Sequence, residues 1–135
     1  VTYSIVAPVF NELDNLPEFY RRVREVMTTL PGTWELIFVD DGSSDGSTDI
    51  IRALAKEDKH VRPVILARNF SHQIAITAGW DHARGDAVVV MNADMQDPPE
   101  VIPDMIKKWK EGFSTAWVIL MPGHLSGVPV QSAMK

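Results

Sequence analysis

Three short runs of this chain carry side chains able to bind a charged ligand. In Asn92-Ala93-Asp94-Met95-Gln96-Asp97, four of six positions bear carboxylate or amide oxygens, and the run follows directly on the apolar stretch Ala87–Met91. Oxygen donors at that density suit a hard divalent cation such as Mg²⁺ or Mn²⁺, and a cation held there can hold a diphosphate. Two other runs, Val39-Asp40-Asp41-Gly42-Ser43-Ser44-Asp45 and Pro8-Val9-Phe10-Asn11-Glu12, likewise follow apolar stretches. Each has a plainer reading. Asp40–Ser44 alone is a turn with Asx and hydroxyl caps. Glu12 alone is a solvated loop acid, and Asp94 and Gln96 alone could cap the helix that starts near Pro99. Their conjunction favours a site, because acids gathered at one place repel one another unless something positive binds among them.

The three runs can meet only if the elements before them are parallel strands ending at one sheet edge. Thr2–Val9, Trp34–Val39, Val61–Ala67 and Ala87–Met91 are short, apolar and rich in β-branched residues, as buried strands are. Pro8 falls at a strand end, where a missing N–H costs little. Between the strands, helical spacing runs through Leu16, Phe19, Tyr20, Val23, Val26, Met27 and Leu30, capped by Asp14 or Asn15 and stopped at Pro31–Gly32. A second helix is expected from a Ser47 or Thr48 cap, a third from Ser71 to about Arg84, and a fourth over Pro99–Glu111. Such alternation with short connections implies a parallel sheet covered on both faces, with ligands outside the carboxyl ends of its strands. Ala116–Met121 can form a fifth strand, and a poorly ordered tail is expected from Pro122.

The 135 residues suit one domain. With 13 basic against 18 acidic side chains, net charge −5, the chain is no general nucleic-acid binder. There is no cysteine, hence no disulfide or thiolate metal site. No apolar run reaches membrane-spanning length, and the N-terminal residues do not read as a signal peptide. No Ser-His-Asp arrangement, P-loop or G-x-G-x-x-G occurs. His60, His72, His82 and His124 are scattered and read as surface or packing residues. Trp80 and Trp109 fit apolar helix faces, and Arg21, Arg22 and Arg24 a solvated one.

Ile5–Glu12 (IVAPVFNE), Glu35–Thr48 (ELIFVDDGSSDGST), Ala67–Asp86 (ARNFSHQIAITAGWDHARGD) and Val88–Gly112 together resemble the family 2 glycosyltransferases of the GT-A fold. The similarity is greatest to the polyprenyl-phosphate sugar transferases. The resemblance implies a Rossmann-like three-layer α/β/α fold with a mainly parallel sheet. It divides the chain into a nucleotide-sugar-binding domain, 1–112, and an atypical strand and tail, 113–135. Pro8, Phe10 and Glu12 would line the nucleoside site. Asp40, with Asp41 as a second candidate, would bind base or ribose. Arg68 and Gly79 would lie near the donor pocket, with Asn92 and Ala93 on the nucleotide-sugar. Asp94 would be the central ligand of Mg²⁺ or Mn²⁺ and Gln96 the second. Asp97 would position the acceptor or a water, or else cap the next helix. The donor would be a nucleoside-diphosphate sugar, UDP-linked, and the acceptor a polyprenyl phosphate, with inversion at the anomeric carbon. The implied location is cytoplasmic, at the membrane face where such a lipid is met.

Two departures stand out. The family motif normally begins with Asp where this chain has Asn92, which keeps an acceptor oxygen and drops a charge. After Gly112 the second half that builds the acceptor site is not matched, so the chain looks like the donor-binding half of a transferase. The rival readings are a nucleotide-binding fragment without catalysis and a response-regulator-like signalling module. The latter should carry a lysine at a late strand end, and Ala116–Met121 offers none.

Overall fold

The computed structural model of the chain describes residues 1–96, 98–111 and 118–120. Five strands alternate with four helices: β1 (Tyr3–Val9), α1 (Leu16–Thr28), β2 (Trp34–Asp40), α2 (Ser47–Glu57), β3 (Val61–Ile65), α3 (His72–His82), β4 (Ala87–Val90), α4 (Ile102–Lys110) and β5 (Val118–Leu120). The sheet order is β3-β2-β1-β4-β5. The first four strands are parallel, in the register Val6↔Ile37 and Val6↔Val90 across β1. β5 runs antiparallel to β4, Val88 opposite Ile119. The expected tail lies outside the described residues.

Alternation along the strands sorts the core into two layers. Tyr3, Ile5, Ala7 and Val9 of β1 join Leu16 and Phe19 of α1, Ile51 of α2 and Ile102 of α4. Val6, with Val39 and Val90, faces Ala75, Ile76 and Trp80 of α3. Strands buried on both faces account for the continuous apolar runs of the sequence. In α1 the buried stripe is Leu16, Phe19, Val23 and Met27. Each such side chain contributes about 1.5–3 kcal/mol when withdrawn from water.

This layering fixes the topology. From β1 to β3 the chain steps one way along the sheet with α1 and α2 on one face. It then crosses back over α3, on the other face, to place β4 on the far side of β1. The direction of winding reverses between β1 and β4, and the crevice beyond that switch point is where doubly wound sheets bind ligands.

Two prolines mark the sheet. The Val6 carbonyl accepts from Met91 N–H at 2.9 Å, so Val6, and Pro8 two residues on, face β4. The β1–β4 pairing ends at Val6↔Val90. Pro8 thus sits in the central strand where one neighbour has already turned away. On β3, His60 and Leu66 bond to β2, so Pro63, of opposite parity, turns its ring nitrogen to the outer side, where no strand pairs among the described residues.

Helix starts differ from expectation in detail. Gly46, at φ 100°, occupies the position before α2, and the Ser47 hydroxyl is used between loops. Asn15 precedes α1, but its amide donates to Glu12 Oε2 at 2.8 Å. Ser71 caps α3 as expected, its Oγ accepting from Ile74 N–H at 3.2 Å. The fourth helix opens as a 3₁₀ turn, Pro99–Val101. Pro103 has no N–H to give the Pro99 carbonyl, and Ile102 N–H takes that carbonyl instead. No helix among the described residues is long and apolar enough to cross a membrane.

At the amino end of the sheet Glu35, 2% exposed, is buried in β2. It accepts from Ser4 Oγ at 2.6 Å, Arg62 Nη1 at 2.8 Å and Arg84 N–H at 2.8 Å. Burial pushes its carboxyl up, but the Ser4 hydroxyl, the Arg84 N–H and the Arg62 guanidinium outweigh that and hold it below the usual range. Gly85 donates to Ser4 Oγ at 2.8 Å, and a Cβ there would stand 2.6 Å from Ser4 N. The α3–β4 turn is therefore pinned to β1.

Candidate functional site

A cavity of about 370 Å³ opens at the switch point. Pro8, Val9, Phe10 and Glu12 line it from the end of β1, and Asp41 from the end of β2. Asn69, Ser71, His72 and Ala75 line it from the β3–α3 loop and α3. Asn92, Ala93 and Asp94 line it from the end of β4.

The walls are built by cross-loop bonds. Asn11, at φ 53°, donates its N–H to Ser43 Oγ at 2.9 Å, and Ser44 N–H donates to Asn11 Oδ1 at 2.8 Å. Glu12 N–H donates to Ser47 Oγ at 3.1 Å, and Leu13 N–H to Asp45 Oδ2 at 3.1 Å. The Ser47 hydroxyl chiefly, with backbone N–H groups of Ser47 and Leu13, holds the Asp45 carboxyl below its usual range. Asp41 accepts from Phe70 N–H at 2.8 Å and from Asn69 Nδ2 at 3.2 Å. It thereby fastens the β3–α3 loop beside the end of β2. At Gly42, φ 77°, a Cβ would stand 2.3 Å from Asn69 N, so only glycine lets these loops approach.

Not every expected residue reaches the cavity. Asp40 is fully buried and does not line it. Its oxygens accept from Ser43 N–H at 3.0 Å and from the Thr48 hydroxyl, which makes it an internal cap of the β2–α2 turn. The Arg68 guanidinium lies 4.4 Å over the Phe70 ring and is not part of the lining. Gly79 is a packing position: its missing Cβ would fall 2.3 Å from Val6 Cγ1 and 3.0 Å from Val39 Cγ2. Gln96 does not line the cavity either, and its backbone N–H donates to Asp94 Oδ1 at 3.1 Å. That bond closes a turn through Met95, which is held at φ 69°, a conformation costing on the order of 1 kcal/mol outside glycine. Asp97 lies outside the described residues.

Five lining residues lie outside the expected set: Val9, Asn69, Ser71, His72 and Ala75. The signal was present, since Asn69 follows the third strand and shares its edge with the other three strand ends. His72, expected at the surface or in packing, lines the cavity.

The donor set decides what cation fits. Among the described residues no three His, Cys, Asp or Glu side chains converge on one point, so there is no all-protein cage. Asp94 lines the cavity with Oδ1 accepting from Gln96 N–H and Oδ2 accepting no hydrogen bond among the described residues. One carboxylate beside an open cavity suits Mg²⁺ or Mn²⁺ completed by water and ligand phosphates, the usual arrangement for Mg²⁺ on phosphorylated substrates.

Comparisons with known proteins agree with this architecture. The chain is 50% identical over 119 residues to an uncharacterized glycosyltransferase, YkcC, of Bacillus subtilis, covering 88% of this chain and 37% of that one. It is 49% identical over 109 residues to the bactoprenol glucosyl transferase of Shigella phage SfV, covering 81% and 36%. It is 39% identical over 117 residues to an undecaprenyl-phosphate 4-deoxy-4-formamido-L-arabinose transferase of Salmonella choleraesuis, covering 86% and 36%. The chain thus spans about a third of the length of these relatives. Among solved structures, the mannosyltransferase PcManGT of Pyrobaculum calidifontis, in complex with GDP-Man and Mn²⁺, superposes with a TM-score of 0.60. The identity is 22%, and the match covers 68% of this chain and 27% of that one. TarS 1-349 of S. aureus in complex with UDP-GlcNAc gives 0.57 at 17% identity, covering 82% and 32%. These likenesses establish the GT-A fold. The sequence model of glycosyl transferase family 2 matches residues 4–126. With the match taking in all four parallel strands and every residue that lines the cavity, the chain belongs to glycosyl transferase family 2.

Proposed function

We propose that this chain binds the donor, a UDP-sugar, for a transferase that passes the sugar to a polyprenyl phosphate with inversion. The observation that carries the reading is the switch-point cavity, in which Asp94 offers a carboxylate oxygen beside the β1 end. Phe10, 48% exposed at the mouth, offers an apolar face to a base. Glu12 and Asn92 supply oxygens for ribose hydroxyls. Support for the acceptor comes from relatives named for bactoprenol and undecaprenyl phosphate. Support for the donor comes from structural neighbours holding UDP-GlcNAc, or GDP-Man with Mn²⁺.

A divalent cation at Asp94, when bound, supplies Lewis-acid stabilisation of the departing diphosphate. The chain's own part is to place it: the Gln96 N–H fixes one Asp94 oxygen and leaves the other for the cation. A phosphate nucleophile is already ionised near pH 7, so the reaction asks for no strong general base, and among the described residues the lining holds no Asp–His pair in hydrogen bond.

Calorimetry with UDP, GDP and their sugars, with and without Mn²⁺, tests this. UDP should bind more tightly with Mn²⁺, and Asp94→Ala should remove the Mn²⁺-dependent part. Unchanged Mn²⁺-dependent affinity in that variant would falsify the assignment of Asp94. Tighter binding of GDP than UDP would overturn the choice of base.

A further inference from the structure

The cavity is lined by acids: Glu12 from the β1–α1 loop, Asp41 from the end of β2 and Asp94 from the end of β4. A diphosphate entering it meets negative charge on three sides. One cation at Asp94 answers one of them. On the α3 wall the lining contains a single side chain able to carry positive charge, His72. Arg68, the nearest fixed cation in sequence, is committed to the Phe70 ring outside the lining.

His72 is the first residue of α3. A helix start carries partial positive charge and N–H groups with no partner inside the helix. The Ser71 hydroxyl satisfies Ile74 N–H, leaving the N–H groups of His72 and Gln73 without a partner inside the helix. No acid stands in the first turn of α3. Asp41 ties this segment down through Phe70 N–H, so the imidazole is carried on a fixed base.

Resting on the donor reading above, we propose that His72 positions the phosphates of the bound nucleoside diphosphate from the α3 wall of the cavity that Asp94 lines from the end of β4. It is a specificity-determining residue for phosphate, and it leaves the nucleoside to the β1 side. Two-dimensional NMR titrations with uridine and with UDP, both in Mg²⁺, separate these contributions. Wild type should prefer UDP strongly. His72→Gln should weaken UDP by about tenfold, the scale of one charge-assisted hydrogen bond, and leave uridine unchanged. His72→Lys should recover most of the loss, because it restores a cation. Equal affinity for UDP in wild type and His72→Gln would overturn the inference while leaving the donor reading intact. So would parallel weakening of uridine and UDP, which marks a structural role. Failure of wild type to bind UDP at all would overturn the donor reading and this inference with it.

Discussion

Gly79→Ala pits two opposing effects at one buried position. In a helix interior, alanine is favoured over glycine by about 1 kcal/mol. Against that, the new methyl would stand 2.3 Å from Val6 Cγ1 and 3.0 Å from Val39 Cγ2. Both valines are fully buried in adjacent strands and cannot swing away. Forcing a methyl into a closed core costs about 1–3 kcal/mol, and a contact this short falls in the upper part of that range. The net expectation is a loss of about 1–2 kcal/mol, or roughly 3–6 °C in Tm for a domain of this size. UDP affinity should not change, because the contact is on the sheet face and not in the cavity. Urea unfolding and UDP titration on the same preparation measure both. A more stable Gly79→Ala protein would refute the close approach of α3 to β1. A folded variant with weakened UDP binding would return Gly79 to the donor pocket.

Glu35→Gln should cost roughly 2–4 kcal/mol at pH 7, because it leaves Arg62 and the Arg84 N–H with a weaker partner. Glu35 has a depressed folded pKa, so its contribution is complete above the ordinary carboxylate value of about 4.3 and fades as pH falls through the depressed one. The stability gap between wild type and variant should therefore narrow below about pH 4, which urea unfolding at pH 7 and pH 3 would detect; a constant gap would contradict the assignment. Asn92→Asp should tighten Mn²⁺-dependent UDP binding by adding a charge beside Asp94. Calorimetry showing no change would mean that this position does not sense the cation.

The alternation of strands and helices was legible because parallel strands buried on both faces leave unbroken apolar runs, as Ile5–Val9 and Leu36–Val39 do. Strand order was not, since nothing local in α3 says that its chain crosses back over β1. Once that crossing is known, the switch point follows. The residues at the ends of β1 and β4 were legible as a group for the same reason. Asp40 was misleading because a carboxylate that caps its own turn and one that meets a ligand look alike in sequence. Only the partners, Ser43 and Thr48, tell them apart. Gly79 is no more readable from sequence, because the reason for a glycine inside α3 lies in Val6 and Val39. Glu35 was invisible, because its partners come from Ser4, Arg62 and Arg84, far apart along the chain.

Pro63 has a bearing on how this sheet can associate. An edge strand normally presents a row of donors and acceptors that will accept any extended segment. With Pro63 in the middle of β3, the outer border lacks a donor at its centre, and a strand laid along it would lose a bond just where pairing should be strongest. Pairing on the β3 side therefore loses a bond at its centre, whereas on the β4 side β5 has already joined in the opposite direction.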